Sequence, residues 1–154
     1  MRPRALTAAF LALSGSGDLA GGLWAAFDWR GAAGFLARHA PGWHAQRDAV
    51  SMAFADDALR QLWVNLGTAL MAVGAMQLVA ARWVARGREE GDTLARVFAL
   101  VLIVAAGVIT VYADQPSSLW TEGARGVVLL GLVTWTRTVE GPGSGSSGGA
   151  GAGG

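Results

Sequence analysis

The chain contains no cysteine and no lysine among its 154 residues. The lack of cysteine excludes disulfides, thiolate metal sites, cysteine nucleophiles and c-type haem attachment. Charged residues make up only 15%, whereas soluble domains usually carry about a quarter. The net charge is +1 and no basic stripe is interleaved with aromatics, so we expect no nucleic-acid partner. All 12 basic residues are arginine, and alanine and glycine are abundant. This pattern indicates a GC-rich coding sequence and hence a bacterial source.

Hydrophobic residues make up 53% of the chain, and the mean hydropathy is +0.39. They are concentrated in four long runs. A helix needs about 20 apolar residues to cross a bilayer, and each run has roughly that length. The sequence therefore predicts an all-α, integral membrane four-helix bundle over residues 1–140. The predicted spans are about 5–27, 59–84, 94–113 and 119–136.

The arginines are distributed unevenly between the links that join the predicted spans. Seven of them flank one side: Arg2, Arg4, Arg82, Arg86, Arg88, Arg96 and Arg137. The link 114–118 has no basic residue. The positive-inside rule then places both termini in the cytoplasm, and the protein in a bacterial inner membrane. The longer loop 28–58 also holds three arginines; its acidic residues count little in this rule.

Aromatic residues fall at the ends of the predicted spans, as in the aromatic belts of membrane proteins. The alternative is that these rings fill contacts between helices. The predicted interfacial aromatics are Trp24, Trp29, Trp63, Tyr112 and Trp120 at the outer ends, and Trp83 and Trp135 at the inner ends.

The loop 28–58 is the longest segment predicted outside the bilayer. Phe35 and Val50 each lie on a short apolar face, which predicts interfacial helices; a docking surface for another protein is the alternative. His39 and His44 share no helix face, so we predict no metal site. The start of the chain resembles a signal peptide, but its apolar run continues to Phe27, so we expect an uncleaved span. Residues 141–154 have the composition of a flexible tail or linker.

A few polar residues lie inside the predicted spans, where ionisable groups are costly and often functional. Asp18 and Arg125 lie at similar depths, and we predict that they face each other in the outer half of the bundle. Glu122 competes for Arg125 from three positions away. Asn65 and Thr68 are expected at the same depth, together with Thr110. This set is either a structural ion-pair cluster or a site for a proton, ion or small polar ligand.

Small residues mark where helices approach each other closely. Gly67, Gly74 and Ala81 recur every seven residues and predict a packing face, within the chain or between subunits. A second small face surrounds Asp18 on the first span; its members are Ser14, Gly15, Gly21 and Gly22. Gln77 stands apart from the polar set, and we expect it to hydrogen-bond a neighbouring helix.

The order of a first helix, a longer outer loop and an arginine before a glycine-bearing second helix is a recognisable layout. The third element is RQLWVNLG, Arg60 to Gly67. Over residues 5–137 this layout resembles small bacterial four-span membrane proteins of the DoxX-like type. The resemblance implies a four-helix membrane fold and a loose connection to redox or stress responses. It carries no functional residue over to this chain.

The same residues bear on function. We expect a non-catalytic accessory subunit of a larger inner-membrane complex, be it respiratory, photosynthetic or transport, with the bilayer and other membrane subunits as partners. The alternative is a small carrier or sensor that binds a proton, ion or small polar ligand near Asp18 and Arg125. A redox enzyme is least favoured because the sequence shows no ligands for a cofactor. We predict no catalytic residue and no cofactor; a bound lipid is compatible with so apolar a surface.

Overall fold

The computed structural model describes residues 2–39, 56–113 and 119–140, and the elements in these ranges are all helical. The predicted all-α class is therefore confirmed. The helices are α1 (Pro3–Phe27), α2 (Trp29–His39), α3 (Asp56–Ala85), α4 (Glu89–Ala113) and α5 (Ala124–Glu140), with a π-helical turn (Leu119–Gly123) leading into α5.

Three helices are long and apolar enough to cross a membrane: Pro3–Phe27, Asp57–Ala85 and Glu89–Val111. Helix α5 has 17 residues, or roughly 26 Å at 1.5 Å per residue, slightly less than the usual span of about 20 residues. The π-helical turn in front of it adds five residues. The fourth span stays a prediction.

One residue, Asp28, ends α1 and starts α2. Its backbone N–H donates to the carbonyl of Trp24 at 2.8 Å, which closes the last turn of α1. Its carboxylate accepts from the N–H of Gly31 at 3.1 Å, as an N-cap side chain does for the first turn of a helix. The same carboxylate accepts from the indole Nε1 of Trp24 at 3.2 Å. The first of the short helices predicted in the loop 28–58 is thus present as α2. The one predicted around Val50 lies outside the described residues.

Helices α3 and α4 form a tight antiparallel pair because Gly87 lets the chain reverse in three residues. Gly87 has φ +71°, a conformation that suits glycine. Its N–H donates to the carbonyl of Val84 at 3.0 Å, and the N–H of Arg88 donates to Trp83 at 3.0 Å. This is the hydrogen-bond pattern of a Schellman motif. Acidic residues then fill the first turn of α4, where the helix dipole favours negative charge.

Glycines on α1 and α3 form a close seam between the two helices. A Cβ placed on Gly15 would lie 2.7 Å from the carbonyl oxygen of Gly74, and one on Gly22 would lie 2.5 Å from that of Gly67. The order of the contacts shows that the two helices are antiparallel. Ala81, the third member of the predicted stripe, is buried in the core. The stripe of α3 is therefore a contact within the chain, and it is not free to bind another subunit.

The core lies among α1, α3, α4 and α5. Helix α1 packs against α3 and α5, and α4 packs against the same two helices. The buried core residues are Leu11, Ala80, Ala81, Val84, Ala95, Phe98, Ala99, Leu129 and Val133. Many large apolar side chains point outward instead; Leu13 is 76% exposed and Val111 is 75% exposed.

The predicted interfacial aromatics behave in two ways. Trp63 is buried against Ala25 and Ala32, so it fills the contact between α1, α2 and α3, as the alternative interpretation held. The side chain of Tyr112 lies outside the described part of the structure. The other five indoles are exposed or half-buried: Trp24, Trp29, Trp83, Trp120 and Trp135.

Candidate functional site: a charged cluster between three helices

Asp18 and Arg125 form the ion pair expected from their depths in the sequence. The guanidinium Nη2 of Arg125 lies 3.0 Å from Oδ2 of Asp18 and 3.1 Å from Oδ1. The Asp18 side chain is 13% exposed and that of Arg125 is 27% exposed. The contact joins the middle of α1 to the start of α5, and it is one of the few polar links between them.

Arg125 is shared between two carboxylates. Its Nη1 donates to both oxygens of Glu122, at 3.0 and 2.8 Å, while Nη2 also donates to the hydroxyl of Ser14. Glu122 lies in the π-helical turn three residues before Arg125. π-helical turns are rare and are frequent at functional sites. The guanidinium therefore bridges α1 and the π-helical turn, with two acids and one base in direct contact.

Gln77 completes the cluster from α3. Its Nε2 donates to Oδ2 of Asp18 at 2.9 Å. The prediction that Gln77 bonds a neighbouring helix is confirmed by this contact, but its expected separation from the other polar groups is wrong. Gln77 is 1% exposed, and its Oε1 is buried with no hydrogen-bond partner in the described part of the chain.

The local sequence explains why these groups meet. Ser14 and Asp18 are four residues apart on α1 and so lie on one helix face. Glycines on the adjacent face bring α3 close enough for the long Gln77 side chain to reach Asp18. Asp18 is nine residues before the end of α1, or roughly 14 Å by helical rise. Arg125 reaches a similar level from the opposite direction, because α5 is antiparallel to α1.

Three other residues expected at this depth do not join the cluster. Asn65 is exposed on α3 and accepts from Nε2 of Gln61 at 2.9 Å. Thr68 is exposed and donates to the carbonyl of Val64 at 2.8 Å. The hydroxyl of Thr110 donates to the carbonyl of Ala106 at 2.7 Å. Asn65 and Thr68 thus lie on an exposed face of α3.

Sequence reasoning missed three buried polar residues near the opposite end of the helices. Thr7 on α1 and Thr136 on α5 are nearly fully buried and lie 3.1 Å apart through their hydroxyls. Asp92 on α4 is 6% exposed, and its Oδ1 has no hydrogen-bond partner among the described residues. Threonine hydroxyls can satisfy themselves on their own helix backbone, so they carry little sequence signal. Asp92 follows other acidic residues in the first turn of α4, so the sequence did not distinguish it as buried.

His39 does not point to a metal site. Its Nδ1 lies 2.9 Å from the carbonyl oxygen of Phe35, and its ring stacks on the Phe35 ring at 4.3 Å between centroids. His44 lies outside the described residues. Within residues 2–39, 56–113 and 119–140, no three His, Cys, Asp or Glu side chains converge as metal ligands would.

An open groove of about 420 Å³ lies where α3 ends and α4 begins. It combines an indole and aliphatic side chains with two carboxylates; the bound lipid considered from composition stays a prediction. Its lining residues are Trp83, Glu89, Glu90, Thr93, Leu94 and Val97.

No protein-family model matches the chain, and neither does any curated protein or solved structure. The resemblance to DoxX-like proteins therefore stays a prediction. What the cluster can do chemically follows from its own groups: it can hold or exchange a positive charge, and it offers carboxylate, amide and hydroxyl oxygens.

Proposed function

We propose that the protein is a four-span bacterial inner-membrane protein in which the π-helical turn and α5 together make the fourth span. The outward-facing apolar side chains support this, because a soluble protein rarely exposes large contiguous apolar patches. The contacts of each long helix with two others support a four-helix bundle. The asymmetry of the arginines supports cytoplasmic termini, and α2 would then lie at the outer surface.

We propose further that the protein is a small carrier or sensor that binds a proton, an ion or a small polar ligand at the charged cluster. The observation that carries this proposal is the composition of the cluster: two carboxylates and one guanidinium, drawn together from α1, the π-helical turn and α5. An ionisable group inside a bilayer costs at least ~3 kcal/mol on insertion scales. A purely structural link needs only one acid and one base, whereas this cluster keeps an extra acid.

Reconstitution in liposomes tests the carrier directly. A pH-sensitive or ion-sensitive dye is trapped inside, a gradient is imposed, and the flux is compared between the natural protein and Asp18→Asn. Glu90→Gln, an exposed carboxylate at the other end of the helices, is the matched control. We expect the control to behave as the natural protein does and Asp18→Asn to lose the flux.

For a sensor, the readout is hydrogen exchange of the π-helical turn with and without the candidate ion. Both the carrier and the sensor are contradicted if the protein moves no ion faster than empty liposomes and shows no ion-dependent hydrogen exchange.

A second candidate is the accessory subunit of a larger inner-membrane complex. It is favoured by Gly17 and Gly21 on α1, where an added Cβ would meet no atom within 4 Å. Two glycines four residues apart allow a helix of another subunit to approach closely. Solubilisation of native membranes in mild detergent should then yield stoichiometric partner proteins. A monodisperse monomer with no partner at any detergent strength argues for the carrier or sensor.

A further inference from the structure

Within the described residues 2–39, 56–113 and 119–140, the charge around the cluster does not balance. In the helical segments that surround it, the ionisable side chains are Asp18 on α1, Glu122 in the π-helical turn and Arg125 on α5. Helix α3 contributes none over residues 61–81, and α4 contributes none over residues 97–111. Two carboxylates and one guanidinium leave an excess of one negative charge. In a low-dielectric interior such an excess favours the uptake of one positive charge.

The hydrogen bonds show which groups carry the excess negative charge. Asp18 accepts from Arg125 through both oxygens and from Gln77 through Oδ2. Arg125 divides its two Nη groups between Asp18 and Glu122, so neither carboxylate has the guanidinium to itself. Asp18 is the more buried of the two acids, at 13% exposed against 33% for Glu122. Glu122 thus supplies the surplus charge by drawing part of Arg125 away from Asp18.

The side-chain amide of Gln77 packs against Asp18 from α3. Its nitrogen donates to Asp18, while its oxygen is buried with no hydrogen-bond partner among the residues that the structure describes. Buried acceptors are nearly always satisfied by a protein group, water or an ion. A half-turn of the amide exchanges nitrogen for oxygen at Asp18. The oxygen would then face a cation or a protonated carboxyl group.

We infer that the cluster binds one monovalent cation, either a proton or an alkali ion, between the carboxylate of Asp18 and the amide oxygen of Gln77. This rests on the proposed carrier or sensor function and names its ligand. The charge of the occupant is +1 because the surplus is one carboxylate. Its ligands are oxygens, which suit hard cations. Glu122 acts without touching the ion, by sharing Arg125.

The test is the stability of the protein in lipid nanodiscs, followed by tryptophan fluorescence on heating. In one arm, sodium, potassium or lithium chloride replaces choline chloride at constant ionic strength and pH. In the other arm, pH is varied in choline chloride alone. We expect the natural protein to respond in one of the two arms, and that arm identifies the ion.

Variants locate the site. Glu122→Gln makes the cluster neutral, so the response should disappear. Gln77→Leu removes the amide oxygen, and the concentration needed for half of the response should rise about tenfold, the equivalent of ~1.4 kcal/mol. Glu90→Gln is the matched control and should respond as the natural protein does. If Gln77→Leu yields no folded protein, Gln77→Met replaces it, and Glu122→Gln decides the charge argument by itself.

Two results overturn the inference: a natural protein that responds to neither ion nor pH, or a response that survives intact in Glu122→Gln. These are separable from failure of the proposed function. Binding without flux or ion-dependent hydrogen exchange keeps the site and removes the carrier and sensor. Flux that is lost in Asp18→Asn but unchanged in Glu122→Gln and Gln77→Leu keeps the carrier and removes this site.

Discussion

Removing the base of the cluster should be far more damaging than neutralising its more buried acid. Arg125→Met leaves Asp18 and Glu122 as two unpaired carboxylates close together. Asp18→Asn leaves Arg125 paired one to one with Glu122, and the asparagine can still bond to Gln77. The two changes delete the same ion pair, but Arg125→Met leaves two uncompensated negative charges, whereas Asp18→Asn leaves a neutral pair.

The magnitude follows from burial and pairing. Breaking a buried ion pair by removing one partner typically costs 3–5 kcal/mol. Arg125 is 27% exposed, so we expect about 2–4 kcal/mol for Arg125→Met after allowing for solvent screening. Asp18→Asn loses one charge-assisted interaction and keeps its neighbours paired, so we expect about 1 kcal/mol.

The free energy of unfolding can be measured in mixed micelles by titration with a denaturing detergent, with tryptophan fluorescence as the signal. A triple variant with Asp18→Asn, Glu122→Gln and Arg125→Met carries no charge, so it should be more stable than Arg125→Met alone. The reasoning is refuted if Asp18→Asn costs as much as Arg125→Met, or if the triple variant is no more stable than the single one.

The seam between α1 and α3 predicts that Gly74→Ala destabilises the protein by about 1–3 kcal/mol, because the methyl group would overpack a backbone contact. The matched control Gly107→Ala, where an added Cβ meets nothing within 4 Å, should be neutral or slightly stabilising in the same unfolding titration. Asp28→Ala should cost about 1 kcal/mol as the loss of a helix cap, seen as faster hydrogen exchange in α2; unchanged exchange would contradict the capping role. Topology is checked with a reporter that is active only in the cytoplasm: it should work when fused after Arg137, and activity after Trp43 instead would invert the orientation.

Several features of the cluster were accessible from the sequence because they depend on distance along a helix. Helical rise places Asp18 and Arg125 at similar depths, and the cost of isolated charges in an apolar run makes pairing the expected outcome. The three-residue spacing of Glu122 and Arg125 likewise predicts a contact, since such neighbours share a helix face.

The rotation of each helix about its own axis could not be predicted from the sequence in the same way. Asn65 and Thr68 were expected at the depth of the cluster but lie on an exposed face of α3, whereas Gln77, which was expected apart from the cluster, hydrogen-bonds to Asp18. Each apolar span is hydrophobic almost all round, so the pattern of hydrophobic residues does not reveal which face meets a neighbour. Trp63 shows the same limitation, because an indole at a span end suits the membrane interface and a helix contact equally well.

The sequence by itself determined the helical class, the bounds of the apolar segments to within a few residues and the pairing of the two charges near mid-helix. These depend on hydropathy, helix length and electrostatic cost, which are local or additive along the chain. The tertiary structure alone decided that the Gly67 and Gly74 face packs against α1, that Gln77 donates to Asp18, and that Asp92 is buried. Those outcomes depend on how each helix is rotated about its axis and packed against its neighbours. Close packing of the backbones fixes that rotation only when all of the helices are in place.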